Sequence, residues 1–243
     1  MTKTRIHKLF VFIERYTPSF VSKLIRSFGT AFLTPVFFSI RSGHFRSSWT
    51  NRPVTSTGHP LPWYSYPFIE FLEARSFHDC NILEFGGGQS TLWWAERAAK
   101  VVTLEGNESW YETLKSSAPE NVSVFLVSLD SPASCVESVQ RILAENDCRN
   151  FDVVVIDGLY RAEMIDIALQ VISEHGAIIG DTTENEDLFE GFRNKGMLRA
   201  DFYGYVPGNV QRSCMSIYFN DKSPLFGAMV PISQISTEIK SAH

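Results

Sequence analysis

The sequence predicts an α/β fold: a doubly wound, mostly parallel seven-stranded sheet with a C-terminal antiparallel hairpin, preceded by a helical N-terminal arm. Three observations predict it. Short apolar runs alternate with segments of helical period between about residue 67 and residue 220. A glycine trio, Gly86-Gly87-Gly88, follows the first such run, and two late strands flank Pro207-Gly208-Asn209. Alternation with short connections is the signature of βαβ units, whose strands pair in parallel.

The elements follow in order. Residues 1–45 read as short amphipathic helices punctuated by Pro18 and Pro35, and 46–66 as turn-rich chain ending in Trp63-Tyr64-Ser65-Tyr66. Asn81–Phe85 is a short buried strand, followed by the glycine turn and a helix over 90–99. The second strand is 101–105, then a helix through Trp110 and Leu114, and the third strand is 122–127. Pro132 opens a helix whose Cys135, Val136, Val139, Ile142 and Leu143 recur at helical spacing. Strand 151–157 holds Val153-Val154-Val155-Ile156, the β-branched run expected of a central strand buried on both faces. The next helix presents Met164, Ile165, Ala168, Val171 and Ile172, and His175-Gly176 reads as its stop before a strand over 177–180. A polar helix over 184–195 leads to Leu198–Tyr205, the Pro-Gly-Asn turn and a strand over 213–219. The chain divides into a basic arm and linker (1–60), a main domain (61–220) and a tail (221–243).

At 243 residues the chain accommodates one sizeable domain plus an appendage. Hydrophobic (44%) and charged (20%) fractions are ordinary, which argues against wholesale disorder. Cys80, Cys135, Cys148 and Cys214 are scattered, with no C-x-x-C pair. That argues against a zinc or disulfide framework and fits a reducing cytosol. Residues 1–50 carry eight Lys or Arg against the single acid Glu14, a balance of +7; the rest keeps 14 basic and 26 acidic residues, or −12. Such a split points the arm either at something anionic, such as a phospholipid surface, or at its own acidic domain. The apolar start at 9–13 stops at Glu14-Arg15, too short for a signal-peptide core. The longest uncharged run of the arm, 27–40, is 14 residues, against the roughly 20 needed to cross a bilayer. The expectation is a cytoplasmic protein without a membrane span, with peripheral membrane contact through residues 1–45 left open. An acidic main domain argues against nucleic acid as a partner, and oligomeric state is not legible.

The constellation that carries chemistry is Glu84-Phe85-Gly86-Gly87-Gly88-Gln89-Ser90-Thr91. Glycines after a strand let the backbone turn sharply and let a ligand approach where a Cβ would stand. Alone, such a turn is equally a structural device. Here it lies between a strand and a helix, and an acid, Glu105, ends the next strand 21 positions after Glu84. A carboxylate there can accept both hydroxyls of a ribose. NAD fits poorly, because its fingerprint needs a third glycine where Thr91 stands and its pyrophosphate would be repelled by Glu84. S-adenosylmethionine has no phosphate, and its ammonium and sulfonium suit that acid.

Glu84-x-Gly86-x-Gly88 resembles motif I of the class I S-adenosylmethionine-dependent methyltransferases. Glu105 resembles their ribose-binding acid, and the stretch 151–158 looks like their motif after strand four. The resemblance covers about residues 60–220. It implies a last strand inserted antiparallel into the sheet, and S-adenosyl-L-methionine held by Glu84, Gly86, Gly87, Gly88, Ser90, Glu105 and Asp157. The adenine would lie near Ser128, Leu129 and Asp130. Trp63-Tyr64-Ser65-Tyr66 would cover the cofactor, although each ring equally suits packing on the sheet edge.

Methyl transfer from a sulfonium is an in-line displacement with a neutral leaving group, so the enzyme mainly aligns the reactants and excludes water. An oxygen or nitrogen acceptor also needs a base when it must lose a proton. Candidates at the carboxyl ends of strands four and five are Asp157, Tyr160 and Arg161, then Asp181, Thr182 and Glu184. Asp157, Asp181 and Tyr160 form the expected catalytic set. Arg161 suits either an anionic substrate group or a neighbouring acid. His44 and His59 are weighed as bases or as ordinary loop histidines. Asp157 with Asp181 also resembles the Mg²⁺ site of catechol-type O-methyltransferases, but Thr182 stands where that pattern needs Asn or Asp. The expectation is no metal, with Asp181 capping the helix that follows. The function read is methyl transfer to an oxygen or nitrogen of a small molecule, sugar or lipid-linked acceptor. Two alternatives stay open: aminopropyl transfer of the spermidine synthase kind, and a non-catalytic scaffold for a membrane or protein partner.

Overall fold

The computed structural model describes residues 11–12, 15–158, 160–182, 186–220 and 223, without the side chains of 186–189. The first ten residues, Glu184 and the tail 221–243 apart from Ser223 lie outside the described residues. The strands are β1 (Asn81–Phe85), β2 (Lys100–Glu105), β3 (Val122–Leu126), β4 (Phe151–Ile156), β5 (Ile172–Gly180), β6 (Leu198–Tyr205) and β7 (Arg212–Phe219). The helices are α1 (Ser19–Arg41), α2 (His44–Thr50), α3 (Tyr66–Glu73), α4 (Gln89–Ala95), α5 (Glu108–Ser117), α6 (Pro132–Glu145), α7 (Met164–Val171) and α8 (Glu186–Asn194).

One seven-stranded sheet runs β3-β2-β1-β4-β5-β7-β6, parallel through β5, with β7 antiparallel to both of its neighbours. Successive residues of a strand serve opposite faces. Leu83, Phe85, Val102, Leu104, Val154 and Ile156 pack with α6, α7 and Phe192 of α8. Ile82, Val101, Val153, Val155 and Ile179 pack with α3 and with Trp93 and Trp94 of α4. Burial on both faces explains why the central strands carry no polar alternation. The chain turns from building toward β3 to building toward β5 between β1 and β4, and ligands of open α/β sheets bind outside such a switch point.

Three boundaries differ from the sequence reading. Residues 19–41 form one helix rather than short pieces: Pro18 is its N-cap, and Pro35 lies inside it. Proline removes the hydrogen bond to the carbonyl of Ala31, but Ala31 is exposed and water can satisfy it. Helix α4 stops at Ala95, where the Asn121 amide caps it by donating to the carbonyls of Ala95 (2.9 Å) and Ala98 (3.0 Å). Helix α7 ends at Val171, and His175-Gly176 belongs to β5 instead of stopping the helix. Ile172 pairs with Phe151 and the register shifts before Val153. A Cβ on Gly176 would stand 2.6 Å from the Ile172 side chain and 2.9 Å from the Phe151 carbonyl, so glycine is what lets the strand bulge past its own start.

The arm is tied to the β6–β7 turn. Gly208 (φ +75°) lies so close to α2 that a Cβ would stand 2.7 Å from the Ser47 and Ser48 backbone. Its amide donates to His44 Nδ1 (3.2 Å), and Trp63 Nε1 donates to the Pro207 carbonyl (3.0 Å). The buried Ser47 hydroxyl donates to the Val54 carbonyl and accepts from the Val54 amide, both at 2.9 Å. These bonds hold residues 51–54 beside the carboxyl edge of the sheet.

Candidate active site

The glycine turn is fixed from both neighbouring strands. The Gly86 amide donates to the Leu104 carbonyl (2.8 Å), and the Asp157 amide donates to the Phe85 carbonyl (2.9 Å). Gly86 sits at φ +90°, and a Cβ there would lie 2.8 Å from the Asp157 carbonyl oxygen, so both conformation and space demand glycine. Gly88 is extended, and a Cβ on it would meet nothing within 4 Å. That open space is what an incoming ligand needs.

Glu84 is fully buried behind the turn rather than in a cavity wall. Its Oε2 accepts from the Thr91 (2.5 Å) and Thr103 (3.2 Å) hydroxyls, while Oε1 has no partner. Burial pushes its pKa from the ordinary 4.5 up to about 7, against hydrogen bonds from Ser90, Thr91 and Thr103 that favour the anion. A raised acid pKa means that the folded state holds a proton the unfolded chain has lost. Stability from this group is therefore present below about 4.5 and falls as pH rises to about 7. The span corresponds to about 3 kcal/mol. We predict that denaturant titrations of Glu84→Gln and wild type will diverge across this window, with the wild type losing stability as pH rises. Parallel curves would refute it.

A cavity of about 390 Å³ opens outside β1, β2 and β4, within the size range of ligand pockets. Glu105, Gly86, Gly87, Asp157 and Arg161 supply its polar wall, and Leu104, Val127, Leu129 and Met164 its apolar one. Glu105 is 8% exposed; Oε2 accepts from the Gly87 amide (2.7 Å) and Oε1 from the Asn107 amide (2.6 Å). The same carboxylate thus secures the turn and lines the cavity. Leu129 lines it too, whereas the Ser128 hydroxyl donates to Asp130 (2.9 Å).

At the ends of β4 and β5, Arg161 Nη2 lies 3.5 Å from Asp157 Oδ1 and 3.3 Å from Asp181 Oδ2. Of the two sequence readings of Arg161, this geometry favours pairing with acids. Burial and the adjacent Asp181 carboxylate hold the Asp157 pKa well above the usual carboxylate range, with Arg161 pulling the other way. The arrangement does not fit a Mg²⁺ site, because the guanidinium already stands between the two acids. Among the described residues no group of three His, Cys, Asp or Glu converges. Asp181 also accepts from Thr182 Oγ1 (2.7 Å), and whether it caps a helix falls on residues 183–185, outside the described ones. The Tyr160 hydroxyl donates to the Leu129 carbonyl (3.3 Å) and Tyr160 is absent from the cavity wall. His44 is turned away: its Nδ1 accepts from Gly208, which requires a neutral ring, and burial lowers its pKa. His59 is exposed in its loop.

A second cleft, about 130 Å³, shares Gly87 and Asp157 with the first. Asn51, Arg52, Pro53, Trp63, Gln89, Ser90 and Trp110 complete it. The aromatic run divides accordingly. Trp63, half exposed, lines this cleft, while Tyr64 is wholly buried and accepts from Trp94 Nε1 (3.3 Å). Tyr66 packs edge-on against Phe38, with ring centroids 5.1 Å apart. The sequence reading missed residues 51–53 and Trp110. The one signal for the former is that a turn-rich segment precedes the domain.

No family profile matches the chain, and no curated protein matches it. Among solved structures it is similar to precorrin-6y C5,15-methyltransferase from Geobacter metallireducens, with TM-score 0.48 and 15% identity over 63% of this chain and 88% of that one. It is also similar to precorrin 8w decarboxylase from Methanobacterium thermoautotrophicum, with TM-score 0.45 and 17% identity over 66% and 93%. Spermidine synthase from Thermotoga maritima gives 0.43 and 14% over 61% and 55%. At such identities the likeness is one of fold alone. The fold itself is read from the strand order: seven strands with the last inserted antiparallel, the class I methyltransferase fold.

Proposed function

We propose that the chain transfers a methyl group from S-adenosylmethionine to an oxygen or nitrogen of a small-molecule, sugar or lipid-linked acceptor. The observation that carries this reading is the meeting of two cavities at Gly87 and Asp157, one walled by Glu105 and the other by Arg52, Trp63 and Trp110. The residues fit the cofactor. A carboxylate has about four lone-pair sites, so Glu105 can receive ribose hydroxyls while keeping its two backbone donors. Glu84 does not reach either cavity and acts on a bound ammonium only as through-space charge from behind the turn, where Ser90 steadies it, and Leu129 gives the adenine an apolar wall beside Ser128. When bound, the cofactor supplies an electrophilic methyl on a sulfonium.

Asp157, at the junction, takes the acceptor's proton as the nucleophile forms its new bond. Arg161 holds that carboxylate, and Asp181 is a positioning residue that acts through Arg161. Tyr160 is left without a chemical step, since its hydroxyl is engaged by Leu129. Trp63 and Trp110 exclude water from the cleft. Arg52 and Asp157 are the cleft's charged groups, a poor seat for a polycation, which disfavours aminopropyl transfer to a polyamine. Calorimetric titration is expected to give binding of S-adenosylhomocysteine and silence with NAD. Silence with both ligands would remove the enzymatic reading in favour of a scaffold.

A further inference from the structure

Helix α1 has an exposed apolar side that the described chain covers only at its C-terminal end, where Phe38 packs on Tyr66. At about 100° per residue, Phe20, Val21, Leu24, Ile25, Phe28, Phe32 and Val36 fall within an arc of about 160°. Lys23, Arg26, Thr30, Thr34 and Arg41 lie on the opposite side, which is polar through residue 32 and is interrupted by the exposed Leu33, Phe37 and Ile40 in the last turns. Phe20, Phe28 and Phe32 are 71%, 60% and 65% exposed, and Ser22 is the buried residue of the helix. Helix α2 adds a stacked aromatic pair, Phe45 and Trp49, with centroids 6.5 Å apart and exposures of 62% and 82%. So many exposed aromatics on one element mark a surface that is covered in use.

We propose that α1 lies in the plane of an anionic phospholipid bilayer, its phenylalanine face in the acyl boundary and its Lys and Arg side chains at the phosphates. An apolar face rich in Phe and Leu opposite a basic polar face is the composition of an interfacial helix, and exposed Trp is typical of the headgroup level. No described helix is long and apolar enough to cross a membrane. Charge selects the side that docks, since residues 1–50 carry +7 and the remainder −12. An anionic surface therefore attracts the arm and repels the acidic domain. A second copy of α1 is a poorer occupant, because a two-helix seam needs a narrower apolar stripe. The proposal does not depend on methyl transfer.

Flotation of the full chain with vesicles tests it. The chain is expected to float with phosphatidylcholine vesicles containing phosphatidylserine, weakly with phosphatidylcholine alone, and less as salt rises. Phe28→Glu and Phe32→Glu, both at exposed positions, are each expected to lower vesicle affinity about tenfold with an unchanged melting temperature. Absence of flotation with the anionic vesicles would overturn the proposal, as would flotation unaffected by the double Phe→Glu variant. A dimer in light scattering that Phe28→Glu dissolves, without vesicle binding, would assign the face to a second copy instead.

Discussion

Replacing Glu105 with Ala is expected to cost about a hundredfold in affinity for S-adenosylhomocysteine. Hydrogen bonds to a charged acceptor contribute about 1.5–3 kcal/mol each, and two ribose hydroxyls on one carboxylate reach about 3 kcal/mol, or two decades of affinity. The same change frees the Gly87 and Asn107 amides from their bonds to Oε2 and Oε1. Some of the loss therefore comes from a loosened turn rather than a missing contact. The two contributions separate with a ligand lacking the ribose hydroxyls. If Glu105 seats the ribose, that analogue binds the wild type weakly and is much less affected by Glu105→Ala, because the contact is already gone. Wild-type affinity of a folded Glu105→Ala for S-adenosylhomocysteine would dismiss the assignment.

Local signals carried most of the sheet and half of the site. The run Val153-Val154-Val155-Ile156 announces a central strand because burial on both faces leaves no polar positions, and its neighbours fully bury all four residues. Glu84, the glycines and Glu105 are legible because each sits at a fixed offset from a strand end. The start of β5 was hidden, since Val171 passes into Ile172 without a turn residue and Gly176 mimics a helix stop. Its glycine answers to a clash with Ile172 and Phe151, a tertiary cause invisible in the local pattern. Pro35 misled for a related reason: proline disfavours a helix interior, but α1 continues through it with the affected carbonyl at an exposed residue. Residues 51–53 reach the cleft only because Ser47 and Val54 bond each other and Gly208 presses on α2 from more than 150 positions away. No spacing rule covers a contact of that range. The Asp157–Arg161 pair is visible as an i, i+4 spacing, whereas Asp181 joins it only through the pairing of β4 with β5.

That shared guanidinium decides what Asp157 can do. A carboxyl group whose pKa is raised by burial and by Asp181 is a stronger base once ionised than an ordinary aspartate, and Arg161 keeps it aimed while limiting the rise. The expected result for Asp157→Asn is a fall in kcat of about a hundred- to ten-thousandfold, the range for loss of a positioned general base, with a much smaller change in S-adenosylhomocysteine affinity. The pH profile distinguishes a base from a spacer. A general base acts as its anion, so with Asp157 in that role wild-type kcat is expected to rise with pH through its elevated pKa and then level. In Asp157→Asn that ascending limb disappears and the residual rate is flat over the same range. Asp181→Asn removes a neighbouring negative charge, so it is expected to move the wild-type limb to lower pH while preserving its shape. A limb that stays in place in Asp181→Asn, or survives in Asp157→Asn, would show that the proton leaves the acceptor by another route and that the Asp157–Arg161–Asp181 cluster serves only to hold the loops after β4 and β5.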